Sequence, residues 1–247
     1  MDTTMKLSII ILNYVTKGLT KQCIKNIENS DLNIMYEIIV VDNGSTDGCS
    51  EMATVCNFEN KGVSVGKNQA LELSQGEYVL ILDGDTVPVP NSVNKLIEYL
   101  DEHEDCDAIG FYANKYTNQK NREGQAKHHE EYCHTLFEPQ VQQQSIAYYG
   151  LFRKKTLDKH NIRFPEYGCF NKAGYGWEET DFYMQMCEAK IKQWVVGMNT
   201  ASGKYYHEVN SSIREMGHDK YMTSSKERRA DFVKKWGKKE KKYRNVR

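Results

Sequence analysis

Short apolar runs alternate with amphipathic segments along the first half of the chain. Each run has the length of a buried strand, and apolar residues recur at helical spacing between the runs. The pattern predicts strands over 7–12, 36–41, 78–82 and 108–112, and helices over 19–27, 66–73 and 91–100. Strand, helix and strand in this order form a parallel βαβ unit. We therefore expect an α/β fold with a Rossmann-like, mostly parallel central sheet flanked by helices.

The periodicity is weaker in the second half. Residues 114–144 are polar and have no clear period, which is typical of a binding loop, a lid or a disordered segment. Further strands are predicted over 145–152 and 191–196, a helix over 182–189, and a loop around His207. A cluster inside 114–144 has metal-like spacing but matches no established zinc site: His128, His129, Cys133 and His134.

Polar residues directly follow three of the predicted strands. They are Asn13-Tyr14, Asp42-Asn43 and Asp83-Gly84-Asp85. In a doubly wound parallel sheet, ligands bind beyond the carboxyl ends of the strands. A single polar strand end is more often a turn or a helix cap, but three together predict a nucleotide pocket.

Two carboxylates flank a glycine after the third strand. We expect Asp83 and Asp85 to diverge around Gly84, so that one can face a nucleotide sugar and the other a cation, while Gly84 lets a diphosphate approach the backbone. Oxygen ligands favour Mg²⁺ or Mn²⁺, and an imidazole from His207 would shift the preference toward Mn²⁺.

A series of short motifs runs along residues 5–215. They are Ile11-Leu12-Asn13-Tyr14, residues 40–48, Asn60-Lys61-Gly62 with Gly66-Lys67-Asn68, residues 80–86, residues 149–154, residues 177–181, and His207 with Ser211-Ser212. In this order they resemble the family 2 glycosyltransferases of GT-A fold. The resemblance implies a nucleotide-sugar donor, usually a uridine diphosphate sugar, and transfer to an acceptor hydroxyl with inversion at the anomeric carbon.

The resemblance also implies how the donor is held. Asn13, Tyr14 and Asp42 would bind the base, Lys67 the base or the diphosphate, and Asp83 the ribose. It further implies one domain over 1–219, with a nucleotide-sugar half over 1–112 and an acceptor half over 113–219, followed by a basic C-terminal extension over 220–247.

The metal and the catalytic base are implied in the same way. Asp85 and His207 would bind Mn²⁺ or Mg²⁺. The acidic element would supply the general base, where Glu179 stands in the place of a common Asp and Asp181 is the alternative. In an inverting displacement the base takes the proton of the acceptor hydroxyl, while the metal and a cation such as Lys67 neutralise the departing diphosphate.

The acceptor side is less defined. Trp177 and Glu178 are expected to contact the acceptor, and the Trp beside acidic residues resembles galactosyl-transferring GT-A enzymes, which favours a hexose or an N-acetylhexosamine. The chain departs from the family at two positions. It has Val15 where the family often has Asn, and Gly84 where the family often has a larger residue. The base contact and the sugar selectivity therefore stay open. The acceptor itself could be a glycan, a lipid-linked molecule, a protein or a nucleic acid.

Charge is distributed unevenly along the 247 residues. The whole chain has a net charge of −1, but residues 220–247 hold twelve Lys or Arg against three acids, a net of +9, which leaves 21 basic and 31 acidic residues, a net of −10, over 1–219. The basic tail favours contact with anionic surfaces such as the phosphates of lipid or nucleic acid. A solvated helix is the alternative.

Composition excludes several classes of protein. The length and the 39% hydrophobic content suit a globular domain with a large core, and no apolar run approaches the length of a membrane span. Seven dispersed cysteines without a Cys-x-x-Cys pair favour reduced thiols, and no leader pattern is evident. We expect a cytoplasmic protein that can lie peripherally at a membrane.

Two other functions remain open. One is a non-catalytic module that binds a nucleotide sugar or a glycan. The other is a sugar-phosphate nucleotidyltransferase, although residues 13–19 lack the Gly-rich, Arg/Lys-containing loop that such enzymes typically have after the first strand.

Overall fold

The computed structural model describes residues 5–84, 86–87, 92–111, 136–137, 149–191, 193–196, 206–207 and 218–244. The strands are β1 (Leu7–Asn13), β2 (Tyr36–Asp42), β3 (Val55–Cys56), β4 (Tyr78–Asp83), β5 (Thr86–Val87), β6 (Ala108–Phe111), β7 (Leu136–Phe137), β8 (Tyr149–Arg153), β9 (Gln193–Val196) and β10 (Tyr206–His207). The helices are α1 (Lys17–Glu28), α2 (Val63–Leu73), α3 (Ser92–Glu102), α4 (Lys154–Lys159), α5 (Glu178–Glu188) and α6 (His218–Arg244).

A single sheet organises the fold. Within the described ranges it has eight strands in the order β3-β2-β1-β4-β8-β6-β9-β7, while β5 and β10 pair with each other separately. The four strands from β3 to β4 are parallel, β8 runs antiparallel to both of its neighbours, and β9 returns parallel to β6. The expected α/β sheet is confirmed, and its second half is mixed.

Helices cover both faces of the sheet. One face packs Ile9, Ile11 and Leu80 against α1 and α3, and the other packs Ile10 and Ile81 against α2, α4 and α5. Successive residues of a strand point to opposite faces, so a strand that is apolar throughout requires cover on both sides. This explains why the predicted strands are continuous apolar runs rather than alternating ones.

Strand register brings the polar strand ends together. Asn13 lies opposite Asp42 in the β1–β2 pair, and Leu12 lies opposite Asp83 in the β1–β4 pair. The carboxyl ends of three neighbouring strands therefore meet at one edge, as the positions of the polar residues predicted.

The C-terminal helix α6 packs on the domain. Its residues Arg228, Phe232, Trp236 and Glu240 are buried and follow one another at four-residue spacing, which places them along one helical face. The basic tail is therefore not a fully solvated helix, because this face contacts α5 and the segment Gly168–Asn171.

Several local expectations need correction. The segment around His207 forms a short strand with β5 rather than a loop. Helix α2 begins at Val63 and α5 at Glu178, three and four residues before the predicted starts. Apart from Leu136–Phe137, residues 114–144 lie outside the described residues, and so does the His/Cys cluster within them. Over the parts of the chain that the structure describes, no helix is long and apolar enough to cross a membrane.

Candidate functional site

Asn13 organises the carboxyl end of β1. Its side-chain amide donates to Asp42 Oδ1 at 3.3 Å and to Ser45 Oγ at 2.9 Å, and its Oδ1 accepts from the hydroxyls of Thr16 and Thr20. Because Asn13 is fully buried and its hydrogen-bonding capacity is filled, it braces the strand ends. In this arrangement it does not present a free polar group to a ligand.

Tyr14 follows at the same edge and is partly exposed. The next residue, Val15, has a φ of 56°, and its N–H donates to Ser45 Oγ at 2.9 Å. This left-handed backbone is costly for a β-branched residue and is much better tolerated by Asn. The geometry therefore gives a physical reason for the Asn that is common at this place in the family.

Lys67 is the central cation of the edge. It lies on α2 with only 2% of its side chain exposed, and its Nζ contacts Asp83 Oδ1 at 2.8 Å and Glu179 Oε1 at 3.3 Å. The ammonium also lies 5.0 Å from the centre of the Phe164 ring. Burial alone would lower the pKa of Lys67, but the carboxylates of Asp83 and Glu179 raise it above its usual range, so the side chain is charged.

The carboxylates that face Lys67 remain open to solvent. Asp83 is 18% exposed and Glu179 is 19% exposed. One belongs to the third predicted strand end and the other to the acidic element, which are nearly a hundred positions apart in the chain. The structure thus brings together three site residues predicted from the sequence, with Asp83 and Glu179 in contact with the ammonium group of Lys67.

Gly84 is fixed by close backbone contact. Its N–H donates to Leu12 O at 3.0 Å, and a Cβ at this position would lie 2.6 Å from the same oxygen. No real Cβ approaches an oxygen so closely, so a larger residue here would displace β1 from β4. The departure from the family pattern at Gly84 therefore has a local packing cause.

Of the two expected metal ligands, His207 lies in a backbone pairing that the structure describes. His207 lies opposite Thr86, the residue after Asp85, in the β5–β10 ladder. Asp85 and the side chain of His207 lie outside the described residues. Among the side chains that are described, no group of three or more His, Cys, Asp or Glu is arranged to hold a metal ion. A carboxylate and an imidazole together fit Mn²⁺ as donors.

The acidic element opens helix α5. Trp177 precedes the helix with a left-handed φ of 73°, and Glu178, Glu179 and Asp181 form the first turn. Acidic residues in the first turn are stabilised by the helix dipole. The three carboxylates point in different directions, and of these only Glu179 faces Lys67.

Glu178 faces away from the open edge. It has no exposed surface, its Oε1 accepts from Gly176 N at 3.0 Å, and its Oε2 lies 3.4 Å from Arg228 Nη1 on α6. Burial and the neighbouring Glu179 charge raise the pKa of Glu178 to about 7, and the Arg228 guanidinium opposes this rise. In this position Glu178 does not reach an acceptor, contrary to the expected contact.

Asp181 is held inside a polar cluster. It is fully buried and accepts from Tyr167 Oη at 2.5 Å, Trp236 Nε1 at 2.6 Å, Gln185 Nε2 at 2.8 Å and Lys235 Nζ at 3.1 Å. Burial and this hydrogen bond raise the pKa of Tyr167 above its usual range. A carboxylate with four donors has no free lone pair for an acceptor hydroxyl, so the geometry favours Glu179 over Asp181 as a base.

Trp177 is covered by the C-terminal helix. Its ring lies 5.3 Å from the Phe232 ring, and the Arg229 guanidinium lies 4.2 Å from the ring centre. The ring remains partly exposed. A sugar that stacks on Trp177 must share the ring with these two side chains.

Comparison with family models identifies the family of the chain. The family model described as "Glycosyl transferase family 2" matches residues 8–170, which is well over half of the chain. The chain belongs to this family. The resemblance inferred from the ordered motifs is thereby confirmed.

Curated relatives of this family member are distant and longer. "Putative glycosyltransferase EpsH" of Bacillus subtilis is 23% identical over 178 residues, covering 66% of this chain and 51% of its own length. "Glycosyltransferase GlyG" of Streptococcus pneumoniae is 31% identical over 120 residues, covering 44% of this chain and 39% of its own length. The match thus spans about half or less of these two relatives.

Solved structures support the GT-A fold. S. aureus TarS 1–349 superposes with a TM-score of 0.62 at 20% identity, covering 85% of this chain and 63% of that one, and a second TarS structure contains UDP-GlcNAc. The mannosyltransferase PcManGT of Pyrobaculum calidifontis, solved with GDP-Man and Mn²⁺, has a TM-score of 0.55 at 17% identity, covering 79% and 58% of the two chains. At this identity the similarity establishes the fold, and it confirms the expected GT-A architecture.

Arg228 is the main residue of the site region that sequence reasoning missed. It is one of the twelve basic residues of the tail, yet it is fully buried beside the acidic element. A signal was present, because Arg228 precedes Phe232 and Trp236 at four-residue spacing. That spacing marks a buried helical face.

Proposed function

We propose that this family member is an inverting glycosyltransferase that moves a sugar from a nucleoside diphosphate sugar to an acceptor hydroxyl. The observation that carries the proposal is the position of Lys67 between Asp83 and Glu179. In this proposal Asp83 serves the donor and Glu179 the acceptor, and the contacts of both carboxylates with one charged ammonium support it. A single displacement needs the acceptor hydroxyl and the leaving diphosphate on opposite sides of the reacting carbon, with a base at the hydroxyl and a cation at the diphosphate.

The donor would bind at the strand ends. Asp42 and Tyr14 would contact the base, and Asn13 would hold Asp42 in place through its amide. Asp83 would accept from a ribose hydroxyl, which a partly exposed carboxylate can do. Lys67 would then face the diphosphate, where its charge neutralises the leaving group.

Glu179 would act as the general base. It is exposed toward the open edge, whereas Glu178 and Asp181 are buried and bonded. Glu179 would take the proton of the acceptor hydroxyl as that oxygen attacks the anomeric carbon. The bond from that carbon to the diphosphate oxygen breaks in the same step, so that the configuration inverts.

A divalent cation is part of the proposal. Asp85 and His207 would hold Mn²⁺ or Mg²⁺, and support comes from the β5–β10 pairing, which sets His207 opposite the residue after Asp85. When bound, the cation would neutralise charge on the departing diphosphate. PcManGT, which shares the fold, was solved with Mn²⁺.

The donor is proposed to be a uridine diphosphate hexose or N-acetylhexosamine. TarS, which shares the fold, was solved with UDP-GlcNAc, whereas PcManGT was solved with GDP-Man. The two neighbours define the alternatives that an experiment must separate. We also propose that residues 113–219 bind the acceptor and that the basic extension over 220–247 is a separate functional unit.

Donor hydrolysis without an acceptor tests this function. The protein would be incubated with uridine, guanosine and thymidine diphosphate sugars, each with Mn²⁺, Mg²⁺ or a chelator, and nucleoside diphosphate release would be measured. We expect release from one donor class that depends on the metal. Release of pyrophosphate from a nucleoside triphosphate would instead indicate a nucleotidyltransferase.

A binding module would give a different result. Tight nucleotide binding without hydrolysis, and without transfer to any member of a panel of glycan and lipid-linked acceptors, would contradict catalysis. The Glu179→Gln variant serves as the matched catalytic control, since it preserves the shape of the side chain and removes the base.

A further inference from the structure

Arg228 lies where three segments of the chain meet. Its Nη1 lies 3.4 Å from Glu178 Oε2, at the start of α5, and its Nη2 donates to Lys172 O at 2.8 Å. The same Nη2 lies 3.6 Å from the position that a Cβ would take on Gly62, the residue before α2. One guanidinium on α6 thus borders the starts of the two helices that carry Glu179 and Lys67.

The junction is closely packed. Gly62 has a φ of 91°, and a Cβ there would collide with Lys172 O, so the two loops meet backbone to backbone. The Arg228 guanidinium carbon lies over the Phe170 ring, 5.3 Å from its centre. Arg228 and Glu178 are both 0% exposed, so their ion pair is buried.

A second set of contacts ties α6 to the same turn of α5. Trp236 Nε1 and Lys235 Nζ donate to Asp181, and Phe232 packs against Trp177. Glu179 lies between these attachment points, since Glu178 precedes it and Asp181 follows it by two residues. The backbone on both sides of Glu179 is therefore fixed by α6.

We propose that α6 is a clamp that holds Glu179 in position against Lys67, with Arg228 as its principal positioning residue. The inference rests on the proposed role of Glu179 as the base. Arg228 is fully buried and does not touch a substrate. It fixes the two helix starts whose side chains meet at 3.3 Å across the site.

The clamp predicts a separation of catalysis from donor binding. Asp42 and Asp83 lie on strands that are held by their own register, and Lys67, one turn into α2, is also held by Asp83 at 2.8 Å, so the donor affinity should depend on Arg228 much less than the position of Glu179 does. The position of Glu179 should depend on it. Loss of Arg228 is therefore expected to lower kcat and to leave the donor KM nearly unchanged.

The test compares Arg228→Met, the double variant Arg228→Met/Glu178→Gln, and Lys226→Met, an exposed lysine on the same helix. The readouts are kcat and KM for donor turnover and the midpoint of thermal unfolding. We expect a fall in kcat of at least tenfold in Arg228→Met, with KM within threefold of the wild type. The double variant leaves no unpaired buried charge, so its midpoint should recover while kcat stays low.

A purely structural pair would behave differently. Recovery of kcat together with the midpoint in the double variant would overturn the clamp, and so would an unchanged kcat in Arg228→Met. Lys226→Met should match the wild type in every readout. Two other results would instead overturn the proposed function. One is a wild-type protein without activity, and the other is a Glu179→Gln variant that is as active as the wild type.

Amide hydrogen exchange tests the clamp without any activity. We expect the amides of residues 176–181 to exchange at least tenfold faster in the double variant than in the wild type and in Lys226→Met. Equal protection in all three proteins would contradict the clamp, whatever the enzymatic result.

Discussion

Lys67 and Arg228 are both buried cations that face carboxylates, and they differ in the surroundings of their partners. The partners of Lys67, Asp83 and Glu179, are each nearly one-fifth exposed at an open edge. The partner of Arg228, Glu178, has no exposed surface. In the first arrangement the carboxylates contact the cation and still have surface open to a ligand, whereas in the second both partners are fully buried.

The difference shows how one acidic element can serve two purposes. Consecutive residues of a helix project about 100° apart, so Glu178 and Glu179 cannot face the same environment. Glu178 turns toward α6 and becomes part of the packing. Glu179 turns toward the strand ends and stays available for chemistry.

The largest effect that the comparison predicts is on stability. At pH 8, above the pKa of about 7 of Glu178, Arg228→Met leaves this carboxylate buried without its cation, and breaking a buried pair in this way costs about 3–5 kcal/mol of unfolding free energy. Urea unfolding measures this cost. A loss of less than about 1 kcal/mol would show that Arg228 contributes no more to stability than an exposed cation. The contrast between a structural Arg228 and a functional Lys67 would then fail.

The next effect is catalytic. Glu179→Gln should lower donor turnover at least about a hundredfold, equivalent to about 2.7 kcal/mol of transition-state stabilisation, with the unfolding midpoint unchanged. Glu72→Gln, an exposed carboxylate on α2, is the matched control. Turnover near the wild-type rate in Glu179→Gln would return Asp181 or Glu178 to consideration as the base.

A smaller effect concerns pH. Because burial raises the pKa of Glu178 from 4.5 to about 7, folding favours the protonated carboxyl. Its contribution to stability is complete below pH 4.5 and is lost as the pH rises through 7. Relative to Glu178→Gln, the wild type should lose on the order of 1–3 kcal/mol between pH 4.5 and 8, measured by urea unfolding. A constant difference between the two proteins would contradict this.

The strand-end half of the site was predictable from the sequence. An apolar run sets each of β1, β2 and β4, and parallel pairing places Asn13, Asp42 and Asp83 at one edge. These are local signals combined with one topological rule. The sequence did not reveal that Asn13 is buried with all its hydrogen bonds filled, because this depends on side chains from α1 and a turn.

The contacts between α6 and the start of α5 were not predictable in the same way. Arg228 and Glu178 are 50 residues apart, and charge alone assigned Arg228 to a solvated or surface-binding tail. Only the four-residue spacing with Phe232 and Trp236 indicated a buried face. The short pairing of His207 with Thr86 also escaped prediction, because two residues carry too little pattern to indicate a strand.

The measurement that tests the central claim most directly is nucleotide affinity in Lys67→Met. Uridine and guanosine diphosphate would be titrated by calorimetry in the presence of Mn²⁺, with Lys95→Met, an exposed lysine on α3, as the control. We expect one diphosphate to bind the wild type and the control equally, and to bind Lys67→Met at least about tenfold more weakly, a loss of about 1.4 kcal/mol or more. Equal affinity in all three proteins would show that Lys67, like Arg228, is a structural cation.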